Sequence, residues 1–228
     1  MSQPLTFYFG SGSPYAWKVW LALEHKKLPY VAERMTFDGG ELKLPAFTAI
    51  NPRGQVPALV DNGFAMYESA AILEYLEDRY PDSGAPLWPR DVQARAIARR
   101  RAAEVSSHID PLNSVIFDLV FGSASTPANA NANASASANV EALADWKKSM
   151  RAEVGRIEAW MDKDYLAGSQ LSGADFTLYP YVAFLGRIDA RKPGNNLLAL
   201  VPPKLTAWMK RIEALPYFMK TYPPHWQG

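Results

Sequence analysis

Two serine hydroxyls stand where a predicted strand turns into a predicted helix, a position from which they could stabilise a negative charge. The turn Gly10-Ser11-Gly12-Ser13-Pro14 follows a short apolar run and precedes an apolar helical stripe. Ser13 is a favoured N-cap residue, and Pro14 suits the first position of a helix. Because a helix N-terminus carries partial positive charge, a hydroxyl there can donate to a thiolate and lower the pKa of the parent thiol.

Two further dipeptides offer backbone groups and a carboxylate. Val56-Pro57 precedes an apolar run, and a random X-Pro bond is cis only about 5–6% of the time. Taken alone, the pair predicts an ordinary trans proline at the start of a strand. Glu68-Ser69 precedes a helical pattern, and Ser69 is predicted to cap that helix, with the amides of the first turn forming an anion site. Taken alone, this pair predicts a plain cap.

Composition and charge exclude several function classes. Of the 228 residues, 48% are hydrophobic and 21% charged, with a net charge of +1, so nothing predicts a nucleic acid or an anionic membrane as partner. No apolar run approaches the ~20 residues of a membrane span. The chain has no cysteine, and His25, His108 and His225 lack metal-binding spacing, so no metal site is predicted. The start lacks a secretory signal pattern, which predicts a cytoplasmic location.

Two other enzyme classes are disfavoured by the same turn. A Ser/His/Asp hydrolase needs a G-x-S-x-G elbow, whereas Gly12-Ser13 is followed here by Pro14 and Tyr15. A nucleotide-binding loop needs either G-x-G-x-x-G or a glycine-rich loop ending in Lys-Ser/Thr, and the segment matches neither pattern.

The first part of the chain predicts a compact α/β domain over residues 1–82. Its elements, in the order βαβ-α-ββα, are a strand at 5–9, a helix from Ser13 to about Lys27, a strand at 30–35, a short irregular helix at 42–50, strands at 58–60 and 64–66, and a helix from Ser69 to about Tyr80. The Asn62-Gly63 pair between the last two strands is a strong hairpin signal. The βαβ order implies a parallel strand pair with a right-handed crossover.

The second part predicts an all-α helical bundle over residues 91–228, joined by a proline-rich linker at 83–90. Helical patterns cover 91–121, 146–162, 175–185 and 203–215. Ser172 and Asp175 form a capping box that begins the third of these helices. An Ala/Asn/Ser-rich insert at 122–139 is interpreted as a solvated loop that is partly helical at its edges, with a lid over a site as the alternative.

The motifs, taken together and in this order, resemble the soluble glutathione transferase superfamily over nearly the whole chain, the 122–139 insert excepted. The resemblance is closest to bacterial members of the serine type, similar to the zeta or theta classes. It implies a thioredoxin-like N-terminal domain and an all-α C-terminal domain. The residues that carry it are Ser13-Pro14-Tyr15, Asn51-Pro52-Arg53-Gly54-Gln55-Val56-Pro57-Ala58-Leu59, Tyr67-Glu68-Ser69-Ala70-Ala71-Ile72-Leu73-Glu74-Tyr75-Leu76 and Leu171-Ser172-Gly173-Ala174-Asp175.

The resemblance implies how glutathione would be held. Val56-Pro57 would be cis, and the backbone of Val56 would pair with the cysteinyl backbone of glutathione, as in strand addition. Ser69 and the start of its helix would bind the γ-glutamyl carboxylate, and Glu68 the ammonium group beside it. Gln55 and Lys43 would contact the glycine end, although Lys43 fits a solvated surface residue equally well.

The resemblance also implies a hydroxyl that stabilises the glutathione thiolate. Ser13 is the first candidate, because it matches the active-site serine of the serine-type classes, and Ser11 is its rival in the same loop. Tyr8, Tyr15 and backbone amides alone are the remaining alternatives. In each case the hydroxyl would donate to sulfur and would not act as a nucleophile.

The remaining implications concern partners and the reaction. No permanently bound cofactor is expected, and glutathione would be the co-substrate. The second substrate would be a small hydrophobic electrophile. A homodimer would form through the third helix and the first long helix. An interdomain pocket for the electrophile would be lined by Tyr15, His108, Leu112, Val115, Ile116 and Phe117, which also fit an ordinary core.

Other functions on the same fold stay open. They are a glutathione-dependent isomerase, dehalogenase or peroxidase, and a non-catalytic glutathione- or ligand-binding protein. Serine-type isomerases carry a second serine and a cysteine directly after the catalytic serine. Here those positions are Pro14 and Tyr15, which weakens an isomerase assignment.

Overall fold

One mixed sheet organises the first part of the chain. The computed structural model describes residues 5–121 and 132–226, and for residues 121 and 132–138 the backbone only. The strands are β1 (Leu5–Gly10), β2 (Tyr30–Met35), β3 (Ala58–Asp61) and β4 (Phe64–Tyr67). Their order is β2-β1-β3-β4, with β1 and β2 parallel and the other two pairs antiparallel. Asn62 and Gly63 both have positive φ, 49° and 85°, as the predicted tight hairpin requires.

Helices make up the rest of the described structure. In chain order they are α1 (Pro14–His25), α2 (Pro45–Thr48), α3 (Ser69–Arg79), α4 (Val92–His108), α5 (Asp110–Phe121), α6 (Ala132–Ala159), α7 (Gly173–Arg191), α8 (Pro203–Glu213) and α9 (Phe218–Thr221), with short 3-10 helices at Glu41–Lys43, Leu198–Leu200 and Pro224–Trp226. The predicted fold class, a thioredoxin-like α/β part followed by a helical part, is confirmed.

The prediction of a single helix over 91–121 is wrong, because α4 and α5 are separate helices that meet at Ile109. Pro111 explains the break. It has no N–H with which to continue the hydrogen bonds of α4, and its ring restricts the backbone of the residue before it. In the first turn of α5 that missing N–H needs no partner. The break places Asp110 at the start of a new helix.

The C-terminal edge of the predicted loop at 122–139 is helical over a longer stretch than an edge alone, since α6 begins at Ala132 and runs without interruption to Ala159. Alanine is the strongest helix former, and it alternates here with residues of moderate propensity, so the segment can extend the helix behind it. Residues 122–131 lie outside the described part of the chain, and the predicted lid falls partly on them.

Helix α1 packs between the sheet and the helical part. On one side, the Trp20 ring lies 4.5 Å from that of Phe9 on β1. On the other, the Trp17 ring meets Tyr179 of α7 edge to face at 5.4 Å, and its Nε1–H donates to Thr221 Oγ1 at 3.1 Å. Since aromatic side chains bury 150–250 Å² each, these contacts fix the start of α1 against the C-terminal segment.

The predicted capping box at the start of α7 is confirmed. Asp175 is fully buried and accepts hydrogen bonds from Ser172 N–H, Leu166 N–H and Trp208 Nε1–H, each at 2.8 Å, and from Ser172 Oγ at 2.9 Å. Burial raises the pKa of this carboxyl group, and the four hydrogen bonds oppose that rise. One carboxylate therefore joins the start of α7, the segment before it and α8.

The segment between α3 and α4 is hydrogen-bonded to both parts of the molecule. Leu87 N–H donates to Glu77 of α3 at 2.9 Å, and Leu87 C=O accepts from Gly173 N–H of α7 at 2.7 Å. The domain boundaries predicted around this segment stay a prediction. None of the helices in the described part of the chain is long and apolar enough to cross a membrane.

Candidate functional site

Ser13 is the N-cap residue of α1. Its Oγ accepts a hydrogen bond from Ala16 N–H at 3.3 Å, and its backbone is extended, with φ −67° and ψ 121°. The side chain lines a small cleft between the Ser11–Ser13 loop, Trp20 and the C-terminal residues Thr221 and Pro223. Because the cap bond uses only a lone pair, the hydroxyl hydrogen stays available for an acceptor in the cleft.

Ser11 is already engaged by the C-terminal segment. Its Oγ lies 2.7 Å from His225 Nδ1. Gly12 between the two serines has φ 83°, and a Cβ at this position would stand 2.9 Å from the His225 ring. The loop therefore needs glycine both for its backbone conformation and for the close approach of His225.

The third candidate hydroxyl, Tyr15, donates to Asp110 of α5 at 2.5 Å. Burial raises the pKa of Tyr15, and the hydrogen bond and negative charge of Asp110 raise it further. This tyrosine therefore stays protonated and donates across the domains. Tyr181 of α7 meets its ring edge to face at 6.1 Å.

Lys18 lies one turn further along α1 and is buried beside the same pair. Its Nζ stands 5.9 Å from the centre of the Tyr15 ring. Burial lowers the pKa of Lys18 to about 8, while the charge of Asp110 opposes that change. A buried ammonium group thus faces the Tyr15–Asp110 contact at the domain junction.

Tyr8, the fourth candidate, lies on the other face of the sheet. Its ring packs edge to face on Phe47 of α2 at 5.6 Å, next to the small apolar cluster of Phe47, Val56 and Ala58. Phe7 and Phe9, its neighbours on β1, stack on each other at 5.6 Å and pack against Trp20 of α1. Strand alternation therefore separates Tyr8 from the α1 side of the sheet.

The Val56-Pro57 peptide bond is cis, as the resemblance implies. Within the described residues, neither the N–H nor the C=O of Val56 pairs with another backbone group. The turn before it is fixed by Asn51, whose Nδ2 donates to the Gln55 carbonyl at 2.6 Å. Gly54 in this turn has φ 60°, and a Cβ there would approach the Leu42 carbonyl oxygen to 2.7 Å.

The prediction that Ser69 caps α3 is wrong, because the N-cap residue is Glu68 and Ser69 is the first helical residue. Glu68 has φ 67° and ψ 106°, so the helical conformation begins only after it, and no side chain caps the first turn. A non-glycine residue in such a conformation costs about 1–3 kcal/mol and is typical of ligand sites. Ser69 is largely buried, and its hydroxyl makes no hydrogen bond to another described residue.

Gln55 and Lys43 are both exposed and lie in different elements. Gln55 precedes Val56 directly, whereas Lys43 ends the 3-10 helix Glu41–Lys43. The exposed Glu68 side chain lies 3.7 Å from Arg53 in the same region. Arg53 and Gln55 thus belong to the turn that leads into the unpaired backbone of Val56, and Glu68 reaches that turn through Arg53.

The structure places the predicted pocket residue His108 away from Tyr15. His108 lines a different cavity of about 260 Å³ between α4 and α6, together with Glu104, Glu153 and Trp160. Ile116 is completely buried in the core, and the Leu112 carbonyl accepts from Trp146 Nε1–H at 2.7 Å. Val115 and Phe117 are exposed, and Phe117 stacks on Phe184 of α7 at 6.3 Å.

Sequence reasoning missed His225, Trp226 and Asp110. His225 and Ser11 are 214 residues apart, and Asp110 and Tyr15 are 95 apart, so no local pattern links them. The signal for Asp110 was Pro111, which marks a helix start and places Asp110 beside it. The C-terminal residues carry no comparable signal.

Both parts of the chain match models of one family. The model described as "Glutathione S-transferase, N-terminal domain" matches residues 12–79, and that described as "Glutathione S-transferase, C-terminal domain" matches residues 112–216. Glutathione S-transferase 3 of Zea mays is 30% identical over 223 residues, which cover 96% of this chain and 93% of the maize protein. The chain belongs to the glutathione S-transferase family.

Further members of the glutathione S-transferase family agree in sequence and in fold. A glutathione S-transferase zeta class of Euphorbia esula is 37% identical over 160 residues, or 70% of this chain and 68% of that protein. The crystal structure of a glutathione S-transferase from the Antarctic clam Laternula elliptica superposes with a TM-score of 0.77 at 28% identity, covering 99% of this chain and 94% of the clam chain.

Proposed function

We propose that this protein is a serine-type glutathione transferase, in which the Ser13 hydroxyl donates a hydrogen bond to the glutathione thiolate. The observation that carries the proposal is the position of Ser13 at the N-cap of α1, where its oxygen accepts from Ala16 N–H and its hydroxyl donates to no other described residue. The positive end of α1 adds to the stabilisation of an anion there.

The expected effect on the thiol is large enough to matter. A free thiol with a pKa of about 8.5 is only ~3% thiolate at pH 7. A hydrogen bond to a charged group contributes about 1.5–3 kcal/mol, and each pKa unit corresponds to about 1.4 kcal/mol. The pKa of bound glutathione is then about 6.5–7.5, and roughly a quarter to three quarters of it is thiolate at pH 7. That thiolate attacks the electrophile.

Three other hydroxyls are less suited to this role. Ser11 is bonded to His225, and Tyr15 is bonded to Asp110 at 2.5 Å, so each already has a partner. Tyr8 packs on Phe47 on the other face of the sheet. These contacts support Ser13 over the alternatives without any appeal to sequence similarity. The similarity to a zeta-class member supports the serine-type assignment independently.

Glutathione is held by backbone and polar groups beside Ser13. The unpaired N–H and C=O of Val56 pair with the cysteinyl residue of the tripeptide, and Pro57 fixes the backbone that follows. The uncapped first turn of α3 and the Ser69 hydroxyl bind the γ-glutamyl carboxylate, and Glu68 binds its ammonium group. Gln55 and Lys43 contact the glycine end.

Three variants of Ser13 and Ser11 test the role of the hydroxyl. Ser13→Ala is expected to lower kcat/KM for glutathione conjugation of 1-chloro-2,4-dinitrobenzene by about 10- to 100-fold, the value of a lost charged hydrogen bond. Ser13→Asp keeps an N-cap acceptor but has no O–H and adds a negative charge, so it is expected to fold well and to be at least as inactive. Ser11→Ala is expected to change kcat/KM by less than about threefold.

Calorimetry separates a transferase from a binding protein. Glutathione affinity of Ser13→Ala is expected to stay within about threefold of the wild type, because the backbone contacts of Val56 remain. Binding of glutathione without any reaction of the aryl halide in the wild type contradicts the transferase proposal. A full loss of activity in Ser11→Ala with normal activity in Ser13→Ala assigns the role to Ser11.

A homodimer through α3 and α4 is part of the proposal. Its support is the exposure of three large apolar side chains on α4 and on β4, namely Phe64, Val92 and Ile97, and the Phe64 ring lies 5.3 Å from that of Tyr75 of α3. Light scattering is expected to give the dimer mass for the wild type and a lower mass for Phe64→Glu. A monomeric wild type contradicts the proposed dimer.

The cytoplasmic location inferred from the sequence stays a prediction.

A further inference from the structure

One face of α7 forms a continuous wall that runs from Tyr15 to the C-terminal segment. Its side chains change from aromatic to cationic along the helix. The residues, spaced three or four apart, are Tyr181, Phe184, Arg187 and Arg191. Residues at this spacing share a helix face, so the change from aromatic to cationic occurs along a single surface.

The aromatic part of this wall is matched by rings from other elements. Phe184 stacks on Phe117 of α5 at 6.3 Å and lies 6.5 Å from Trp226 of the C-terminal segment. Tyr181 meets Tyr15 at the other end. Three separate elements thus direct aromatic rings toward one strip of α7, as expected for a surface that receives a flat apolar group.

The cationic part is anchored to the residue that contacts Ser11. Arg187 Nη2 donates to the His225 carbonyl at 3.0 Å, and its guanidinium lies 5.8 Å from the Trp226 ring. Its Nε is buried and makes no hydrogen bond to another described residue. The carbonyl contact and the Trp226 ring thus hold the guanidinium charge beside the C-terminal segment.

Positive charge accumulates around His225 at this end of α7. Burial lowers the pKa of His225, and the charges of Arg187, Arg34 and Arg191 lower it further. Arg34 comes from β2, so two domains contribute cations. Among the described residues, no carboxylate lies within 4 Å of Arg34 or Arg187. The electrostatic field around His225 therefore attracts an anion.

We propose that the second substrate is an aromatic electrophile that carries a carboxylate, with its ring against Phe184 and Trp226 and its carboxylate at Arg187 and Arg34. The planar guanidinium suits a carboxylate because it can donate two parallel hydrogen bonds. This substrate class rests on the proposed transferase function and narrows the hydrophobic electrophile that the family resemblance implies.

A charged and a neutral form of one electrophile test the proposal. The probes are 4-chloro-3-nitrobenzoate and its methyl ester. In both, the glutathione thiolate attacks the ring carbon that bears chlorine, a C–S bond forms, and chloride leaves with the C–Cl electrons, the thiol proton having gone to solvent. The measured quantity is the ratio of kcat/KM for the acid to kcat/KM for the ester. The two probes differ in chemical reactivity, but that difference is the same for every variant, so it cancels when the ratios of two variants are compared.

Arg187→Gln is expected to lower this acid-to-ester ratio by about 10- to 100-fold, as for loss of a charged hydrogen bond. Arg187→Lys keeps the charge but not the planar fork, so it is expected to recover part of the ratio. Arg34→Gln is expected to lower the acid-to-ester ratio as well. Because Arg34 is exposed, this variant provides the test if Arg187→Gln folds poorly. Arg211→Gln is the matched control, since Arg211 also donates to a backbone carbonyl, that of Asp164 at 3.0 Å.

Other outcomes overturn the proposal. An unchanged ratio in Arg187→Gln and Arg34→Gln contradicts it directly. A raised KM for glutathione with equal losses for acid and ester shows that the arginines bind a carboxylate of glutathione instead. If the wild type reacts with neither probe, its reaction with 1-chloro-2,4-dinitrobenzene decides whether the transferase proposal has failed. Calorimetry of 3-nitrobenzoate against its methyl ester then tests the anion site, with weaker acid binding in Arg187→Gln as the supporting result and equal binding as the contradicting one.

Discussion

Replacement of Asp175 by alanine is expected to destabilise the fold far more than an ordinary helix-cap mutation. The substitution leaves three buried N–H groups without an acceptor, those of Leu166, Ser172 and the Trp208 indole. Each costs about 1–3 kcal/mol. Removal of a carboxylate whose own burial is unfavourable offsets part of this sum. We therefore expect a net loss of about 3–5 kcal/mol, the range for breaking a buried charged network, against about 1 kcal/mol for a cap alone.

Asp189→Ala is the matched control for Asp175→Ala. Asp189 lies on the same helix and also accepts from two backbone N–H groups, those of Leu197 and Leu198 at 2.8 Å. It is partly exposed, so water can replace it, and the expected loss is about 1 kcal/mol. Urea unfolding followed by circular dichroism gives both values. Equal losses in the two variants, or less than about 1 kcal/mol for Asp175→Ala, refute the reasoning.

Two further variants test buried titratable groups. Burial lowers the pKa of Lys18 to about 8, below the unfolded value of about 10.4. Between these two pKa values the unfolded chain binds more protons than the folded chain, so the free energy of unfolding of the wild type rises from pH 8 to 10. Lys18→Met is expected to lack this rise and to be more stable than the wild type at pH 7 by about 1–3 kcal/mol. Burial lowers the pKa of His25 to about 4, with the Pro86 carbonyl opposing. Stability therefore falls as pH decreases from about 6.5 to 4, by up to about 3 kcal/mol, and His25→Gln reduces that slope. Urea unfolding midpoints measured across the two pH ranges check both predictions. If a variant shows the same pH dependence of stability as the wild type, the lowered pKa of the residue it replaces is contradicted.

The local elements of the fold were predictable because their signals are local. Asn62-Gly63 determines its hairpin by backbone conformation alone, and Ser172 with Asp175 forms its capping box within four residues. The cap of α3 was placed one residue late, because a strained Glu68 is not a conformation that a propensity predicts. Pro111 was present in the sequence, but the helical pattern on both sides of it concealed the break.

The site was predictable only where it is made of contiguous residues. Ser13, Val56 and Glu68-Ser69 lie in short motifs, and the motifs identify the family. The contacts of Tyr15 with Asp110 and of Ser11 with His225 join residues far apart in the chain. These contacts depend on how α1, α5 and the C-terminal segment pack, so tertiary structure was needed to distinguish four candidate hydroxyls.

The most direct test of the central claim is the thiol pKa of bound glutathione, followed by the ultraviolet absorbance of the thiolate during pH titration. For the wild type we expect a pKa of about 6.5–7.5, and for Ser13→Ala a rise of about 1–2 units toward the free value near 8.5. Ser11→Ala is expected to titrate like the wild type. The same pKa in Ser13→Ala and wild type contradicts the assignment of Ser13 as the group that stabilises the thiolate.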